Sequence, residues 1–148
     1  MAIRLAQSTE YDLLSRIWLQ ASLKSHYFIP ATYWLANQKL MKELYLPAAE
    51  NYLYQSAQGI AGFVSLMDDT IAALFIAPEQ QGKGIGKQLL NHVKTLRTQL
   101  RLNVFLQNHQ AKAFYQKQGF SIVNKGLDSA TDEWQLTMIY PQLQADKA

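Results

Sequence analysis

The chain has 148 residues, 49% of them apolar and 17% charged, with no cysteine and a net charge of +3. These values predict one folded globular domain over residues 1–148 and exclude disulfides and thiolate metal sites. No run reaches the ~20 apolar residues of a membrane span and residues 1–10 lack a signal-peptide core, so a cytoplasmic protein with no membrane partner is expected.

Residues 2–6 read as a short strand. Ser8 or Thr9 can cap the helix that follows, with Asp12 completing a Thr-x-x-Asp capping box, and Leu13, Leu14, Ile17, Trp18 and Ala21 form its buried stripe. Residues 25–30 break the pattern. Pro30 then opens a second helix with Tyr33, Ala36, Leu40, Met41 and Leu44 on its inner face, and Pro47 ends it. From Asn51 the apolar period becomes two. Strands 51–56 and 60–67 pair around Gln58-Gly59, and Asp68-Asp69 turns the chain into a third strand, 70–77, apolar on both faces and therefore central. A helix follows that buries Ile85, Leu89, Leu90, Val93 and Leu96, then strand 102–107, helix 109–118, strand 120–125 and a last strand at 133–140. Residues 142–148 read as a frayed tail.

The junction between the central strand and its helix, Gln81-Gly82-Lys83-Gly84-Ile85-Gly86-Lys87, places three glycines in five positions. Glycines there let the backbone approach a ligand closely, the first turn of a helix offers unpaired N–H groups and a positive dipole end, and Lys83 and Lys87 add charge. A tight turn explains one glycine; three beside two lysines point to a bound phosphate. The Walker pattern fails, because Gln81 stands five before Gly86 and Gln88 follows Lys87. The dinucleotide fingerprint fails as well: Leu89 stands where its third glycine belongs, and no acid occurs between Glu79 and Asp128.

What does match is Gln-x-x-Gly-x-Gly, Gln81 to Gly86, which resembles the coenzyme A loop of the GNAT family of N-acetyltransferases. A second block, Asn108-His-Gln-Ala111-Lys-Ala-Phe114-Tyr115-Gln-Lys-Gln-Gly119-Phe120, is similar to the family's N-x-x-A-x-x-F-Y-x-x-x-G-F. The resemblance is strong from about residue 60 to 120 and weak over the first 50. It implies a GNAT-like α/β (α+β) fold, a mixed, mostly antiparallel sheet of six or seven strands flanked by four helices. It also implies acetyl transfer from acetyl-CoA, by direct attack in a ternary complex, to a primary amine: a protein lysine, an N-terminal amine or a small amine.

By the same resemblance, main-chain N–H groups of Gly82, Lys83, Gly84, Gly86 and Lys87 hold the pyrophosphate, with Gln81 opening the motif. The central strand splays at Leu74 to Ile76, and the Leu74 N–H meets the acetyl carbonyl as oxyanion donor. Asn108 is an N-cap on its own evidence and a pantetheine contact by resemblance. Phe114 packs with one edge toward the coenzyme. Tyr115 occupies the general-acid position; a phenol with pKa about 10 stays protonated at neutral pH and can donate to a departing thiolate.

No carboxylate stands at the two positions where family members carry a base, here Asn103 and Thr70, which leaves ordered water, the minor neutral amine, Glu79 or His26. His26, Phe28 and Trp134 are candidates for the acceptor site, with Tyr27 and Trp34 beside them. The alternative to catalysis is a module that binds acyl-CoA as a sensor without turnover. His26, His92 and His109 show no ligand spacing, so no metal is expected.

Charge fits this division. Eight basic residues and no acid lie between Gln80 and Leu127, whereas the first 79 residues are slightly acidic, which suits a polyanionic coenzyme on one side and a cationic amine on the other. Nothing in the pattern supports a nucleic-acid partner. A monomer or weak homodimer is expected.

Overall fold

The computed structural model describes residues 2–141. Seven strands form one sheet: β1 (Ile3–Leu5), β2 (Glu50–Ser56), β3 (Gly59–Met67), β4 (Thr70–Ile76), β5 (Leu100–Phe105), β6 (Ser121–Asp128) and β7 (Glu133–Tyr140), in the order β1-β2-β3-β4-β5-β7-β6. All neighbours are antiparallel except β4 and β5. The expected tail at 142–148 lies outside the described residues. Among the described residues no helix is long and apolar enough to cross a membrane.

Helices α1 (Tyr11–Ser25) and α2 (Ala31–Leu40) cover one face of the sheet, and α4 (Ile85–Leu96) and α5 (His109–Lys117) the other. The first face buries Leu14, Ile17, Trp18, Trp34 and Met41 against Leu53 and Phe63. The second buries Ile85, Leu89, Leu90 and Val93 of α4 against Val64, Leu102 and Met138. Apolar burial on both faces is what holds the helices and the sheet in layers.

Several local expectations are corrected. The entry to α1 is not capped by Ser8 or Thr9. Residues Ser8–Glu10 form a 3-10 turn, Glu10 reaches back to the Gln7 N–H at 2.8 Å, and Arg4 clamps the same carboxylate at 2.9 and 2.6 Å. Asp12 pairs with Arg16 and Lys42 instead, each at 3.3 Å. Pro30 is the residue before α2 rather than its first turn.

Pro47 does not end the second helical arm. A π turn, Met41–Tyr45, widens the helix there, and a single α turn, α3 (Leu46–Ala48), carries Pro47 past it. The wider turn removes the clash that a proline ring makes with the carbonyl four residues back. It also places Met41 and Leu46, five residues apart, on the buried side and leaves Leu44 exposed, while in α2 itself Trp34 is buried and Leu40 exposed. Leu96, at the last position of α4, is likewise exposed rather than buried.

Candidate active site

The site begins where the sheet fails to close. β4 and β5 pair in parallel at one register position, Thr70↔Arg101, and diverge beyond it. The Ala77 N–H donates to the Ala61 carbonyl at 2.8 Å, toward β3. Alternation along an extended strand then turns the N–H and C=O of Ile76 and Leu74 the other way, onto the edge that β5 has left. The Ile76 carbonyl accepts from the Gln81 side-chain amide at 3.1 Å, which agrees with that orientation. Among the described residues Leu74 has no strand neighbour on this side. The splay opens a cleft of about 800 Å³.

The glycine loop closes one flank. Gly82 and Gly84 adopt φ of 80° and 78°, the left-handed region that side chains avoid, and a Cβ on either would point into open space. Gly84 is the N-cap of α4 and supplies no capping side chain, so the first N–H groups of this 12-residue helix stay free at the cleft. Gly86 lets the helix end approach β4 and α5: a Cβ there would lie 3.7 Å from the Phe114 ring and 3.9 Å from Ile76. Gln81 ties the loop to α1, accepting from Lys24 at 3.1 Å. An uncapped helix end, a glycine cradle and a bare strand edge are donor sets suited to a pyrophosphate and an amide-bearing arm, so the residues fit coenzyme A.

The opposite flank comes from α5. Asn108 caps it, its Oδ1 accepting from the Ala111 N–H at 3.2 Å. At the other end the Phe120 N–H donates to the Tyr115 carbonyl at 3.0 Å and Gly119 takes φ 98°, a Schellman-type stop that fixes Tyr115 in the last turn. The Tyr115 ring lies edge-on to Phe114 at 5.2 Å and to Phe120 at 5.5 Å. Among the described residues its hydroxyl has no hydrogen-bond partner, and burial pushes it well above the usual phenol range, so it remains protonated.

His26 follows α1 and is almost fully buried. It stacks on Trp34 at 5.2 Å, meets Phe105 edge-on at 5.1 Å, and its Nε2 lies 3.2 Å from the Asn108 amide nitrogen. Burial pushes it down to about 4, so it is neutral and a poor base at physiological pH. Among the described residues its Nδ1, the Trp34 indole nitrogen and the Ser22 hydroxyl are buried without a partner.

The cleft thus brings together Leu74, Ile76, Gln81, Gly82, Gly84, Gly86, Lys87, Asn108, Phe114, Tyr115 and His26. Three of the expected residues do not line it. The Lys83 ammonium turns to Gln80 Oε1 at 3.1 Å; Phe28 sits behind His26 at 5.8 Å; and Trp134 is 48% exposed on β7, under the Lys125 ammonium at 5.1 Å. Glu79 is exposed outside the cleft. Sequence reasoning missed Tyr33, Gln135 and Asp128, which do line it; Asp128-x-x-Thr131 reads only as a turn. Among the described residues no cluster of metal-ligating side chains occurs.

An acetyltransferase (GNAT) domain model matches residues 42–122, more than half of the chain and the segment that carries both the splayed strand and the glycine loop. The chain belongs to the GNAT acetyltransferase family. Its sequence is 36% identical to the peptidyl-lysine N-acetyltransferase YiaC of Escherichia coli K12, over 96% of this chain and 98% of that one. It is 34% identical to the peptidyl-lysine N-acetyltransferase YjaB of Salmonella typhimurium LT2, over 94% and 97%. The solution structure of apo YjaB from Escherichia coli superposes with a TM-score of 0.85 at 29% identity, covering 96% of this chain and 98% of that one. This GNAT protein is accordingly an N-acetyltransferase with acetyl-CoA as its cosubstrate and an amine as its acceptor.

Proposed function

We propose that this GNAT enzyme acetylates lysine ε-amines of proteins, by direct attack of the amine on acetyl-CoA within a ternary complex. The full-length similarity to peptidyl-lysine N-acetyltransferases supports the acceptor class. The observation that carries the chemistry is the unpartnered, protonated Tyr115 hydroxyl on the cleft wall that also holds the free edge of β4.

The free N–H groups at the start of α4 and the Gly82–Gly84 turn bind the pyrophosphate, and Asn108 and the Ile76 edge guide the pantetheine arm. The Leu74 N–H faces the carbonyl oxygen as it gains charge, among the apolar side chains of β4, where one fixed donor counts for more than in water. When the tetrahedral intermediate collapses, Tyr115 donates its proton to the departing thiolate, and the proton that the new amide nitrogen releases returns through water to the tyrosinate.

With the uncharged Thr70 and Asn103 in the cleft lining and His26 neutral, the acceptor loses its proton to water before attack. Tyr115→Phe tests the assignment. It keeps the ring packing and removes the proton, so kcat falls about 100-fold, as general-acid loss does, while acetyl-CoA affinity by calorimetry stays within twofold. Unchanged kcat would remove Tyr115 from the mechanism.

A further inference from the structure

The cleft wall carries two ionised side chains among the described residues. Lys87 lies in the first turn of α4, on the flank that meets the anionic coenzyme; Asp128 lies across the splay, at the end of edge strand β6. Asp128 is half-buried and held in place, its Oδ2 accepting from the Thr131 hydroxyl at 2.6 Å and its carbonyl from the Asp132 N–H at 2.7 Å. Oδ1 has no partner among the described residues.

Tyr33 of α2 lines the same end of the cleft from the helical side. Burial, and then the charge of Asp128, holds its hydroxyl above the usual phenol range, which places the two groups within electrostatic reach. Apart from Lys87 the rest of the described lining is neutral, with Trp34, Phe105, Asn103 and Gln135 among it. A fixed, half-buried carboxylate in a neutral, partly apolar wall attracts a cation more strongly than one on open surface, because solvent screens it less.

Resting on the lysine-acetylation reading, we propose that Asp128 is the specificity-determining residue of the acceptor half of the cleft. Its carboxylate binds a positively charged side chain of the acceptor peptide, and Tyr33 forms the opposite wall. β6 lies three strands from β4, so at ~4.8 Å per strand Asp128 stands well away from Leu74. It therefore steers and holds the acceptor and takes no part in the acetyl transfer. The bound cation is either the target lysine's own ammonium as it enters or a basic neighbour in the peptide.

The test compares wild type, Asp128→Asn and Asp128→Lys on two capped peptides, one with a lysine among alanines and one with the lysine flanked by arginines. Asn keeps an oxygen for Thr131 and removes only the charge. The expected result is a KM increase of about 5–10-fold in Asp128→Asn, larger in Asp128→Lys, with kcat and acetyl-CoA affinity unchanged. The wild-type advantage should shrink at 0.5 M salt. An effect on both peptides assigns the cation to the target lysine, and an effect confined to the arginine peptide assigns it to the neighbour. Equal KM values at all salt concentrations for wild type and both variants would overturn the proposal. A wild type that acetylates neither peptide, yet acetylates a small amine such as a polyamine, would instead overturn the lysine reading on which it rests.

Discussion

The Asn108 side-chain amide bridges two elements: its Oδ1 accepts from the Ala111 N–H and its Nδ2 faces His26 Nε2, both at 3.2 Å. Because the cap commits Oδ1, the NH2 group must point at the imidazole, and His26 must accept on Nε2 and carry its proton on Nδ1. One residue thereby caps α5 and locks the tautomer of a buried histidine on the other side of the sheet. Asn108→Ala loses the cap and leaves a buried acceptor bare. A destabilisation of about 2–4 kcal/mol is expected in urea unfolding. Asn108→Asp, which keeps the cap, should lose less.

His26 also sets an acid limit on stability. Its pKa is near 4 in the folded state and about 6.5 unfolded, so the unfolded chain takes up the proton first. The contribution is complete above pH 6.5 and is lost as pH falls through 6.5 toward 4. Its full size is about 3 kcal/mol by the linkage relation. Melting temperature measured against pH should fall faster over that interval in wild type than in His26→Phe. Parallel curves would contradict the buried neutral histidine.

Turnover should rise with pH without a falling limb from Tyr115. A free lysine amine has pKa about 10.4, so only the minor neutral fraction attacks at pH 7.5, and that fraction grows about tenfold per pH unit. Tyr115 is pushed above the usual phenol range and stays protonated across this interval. A plot of log kcat/KM against pH should climb with slope near 1 from pH 6.5 to 9. A bell centred near neutrality would point to a protein base instead.

Gly84→Asp separates binding from folding. The side chain enters open space, so the fold tolerates it apart from about 1–2 kcal/mol for a non-glycine residue at φ 78°. Its charge faces the coenzyme phosphates, and calorimetry should detect no acetyl-CoA binding at concentrations that saturate wild type. Undiminished affinity would exclude the glycine loop from the coenzyme site.

Gly62, by contrast, is a packing position. A Cβ there would lie 2.7 Å from the Phe75 carbonyl oxygen and 2.6 Å from Ile76 Cδ1, so Gly62→Ala must push β4 away from β3 at the level of the splay. About 1–3 kcal/mol of stability should be lost. The KM for acetyl-CoA should rise as well, since β4 carries the Ile76 and Leu74 edge.

Much of this protein was fixed by local pattern. The alternation through β2 and β3, the stripe of Ile85, Leu89, Leu90 and Val93, and the glycines ahead of them act over a few residues, so the sequence determined the elements, the glycine loop and the Tyr115 helix. The long second helical arm was harder to read, because a π turn that relieves Pro47 also rotates its buried face. Only the tertiary structure decided how the sheet opens. The divergence of β4 from β5 beyond Thr70, and with it the free edge of Leu74, depends on pairing between residues some thirty positions apart. A still greater distance in sequence separates His26 from Asn108 and Tyr33 from Asp128. No periodicity links such residues; they meet because two helical layers and a splayed sheet bring them to one cleft.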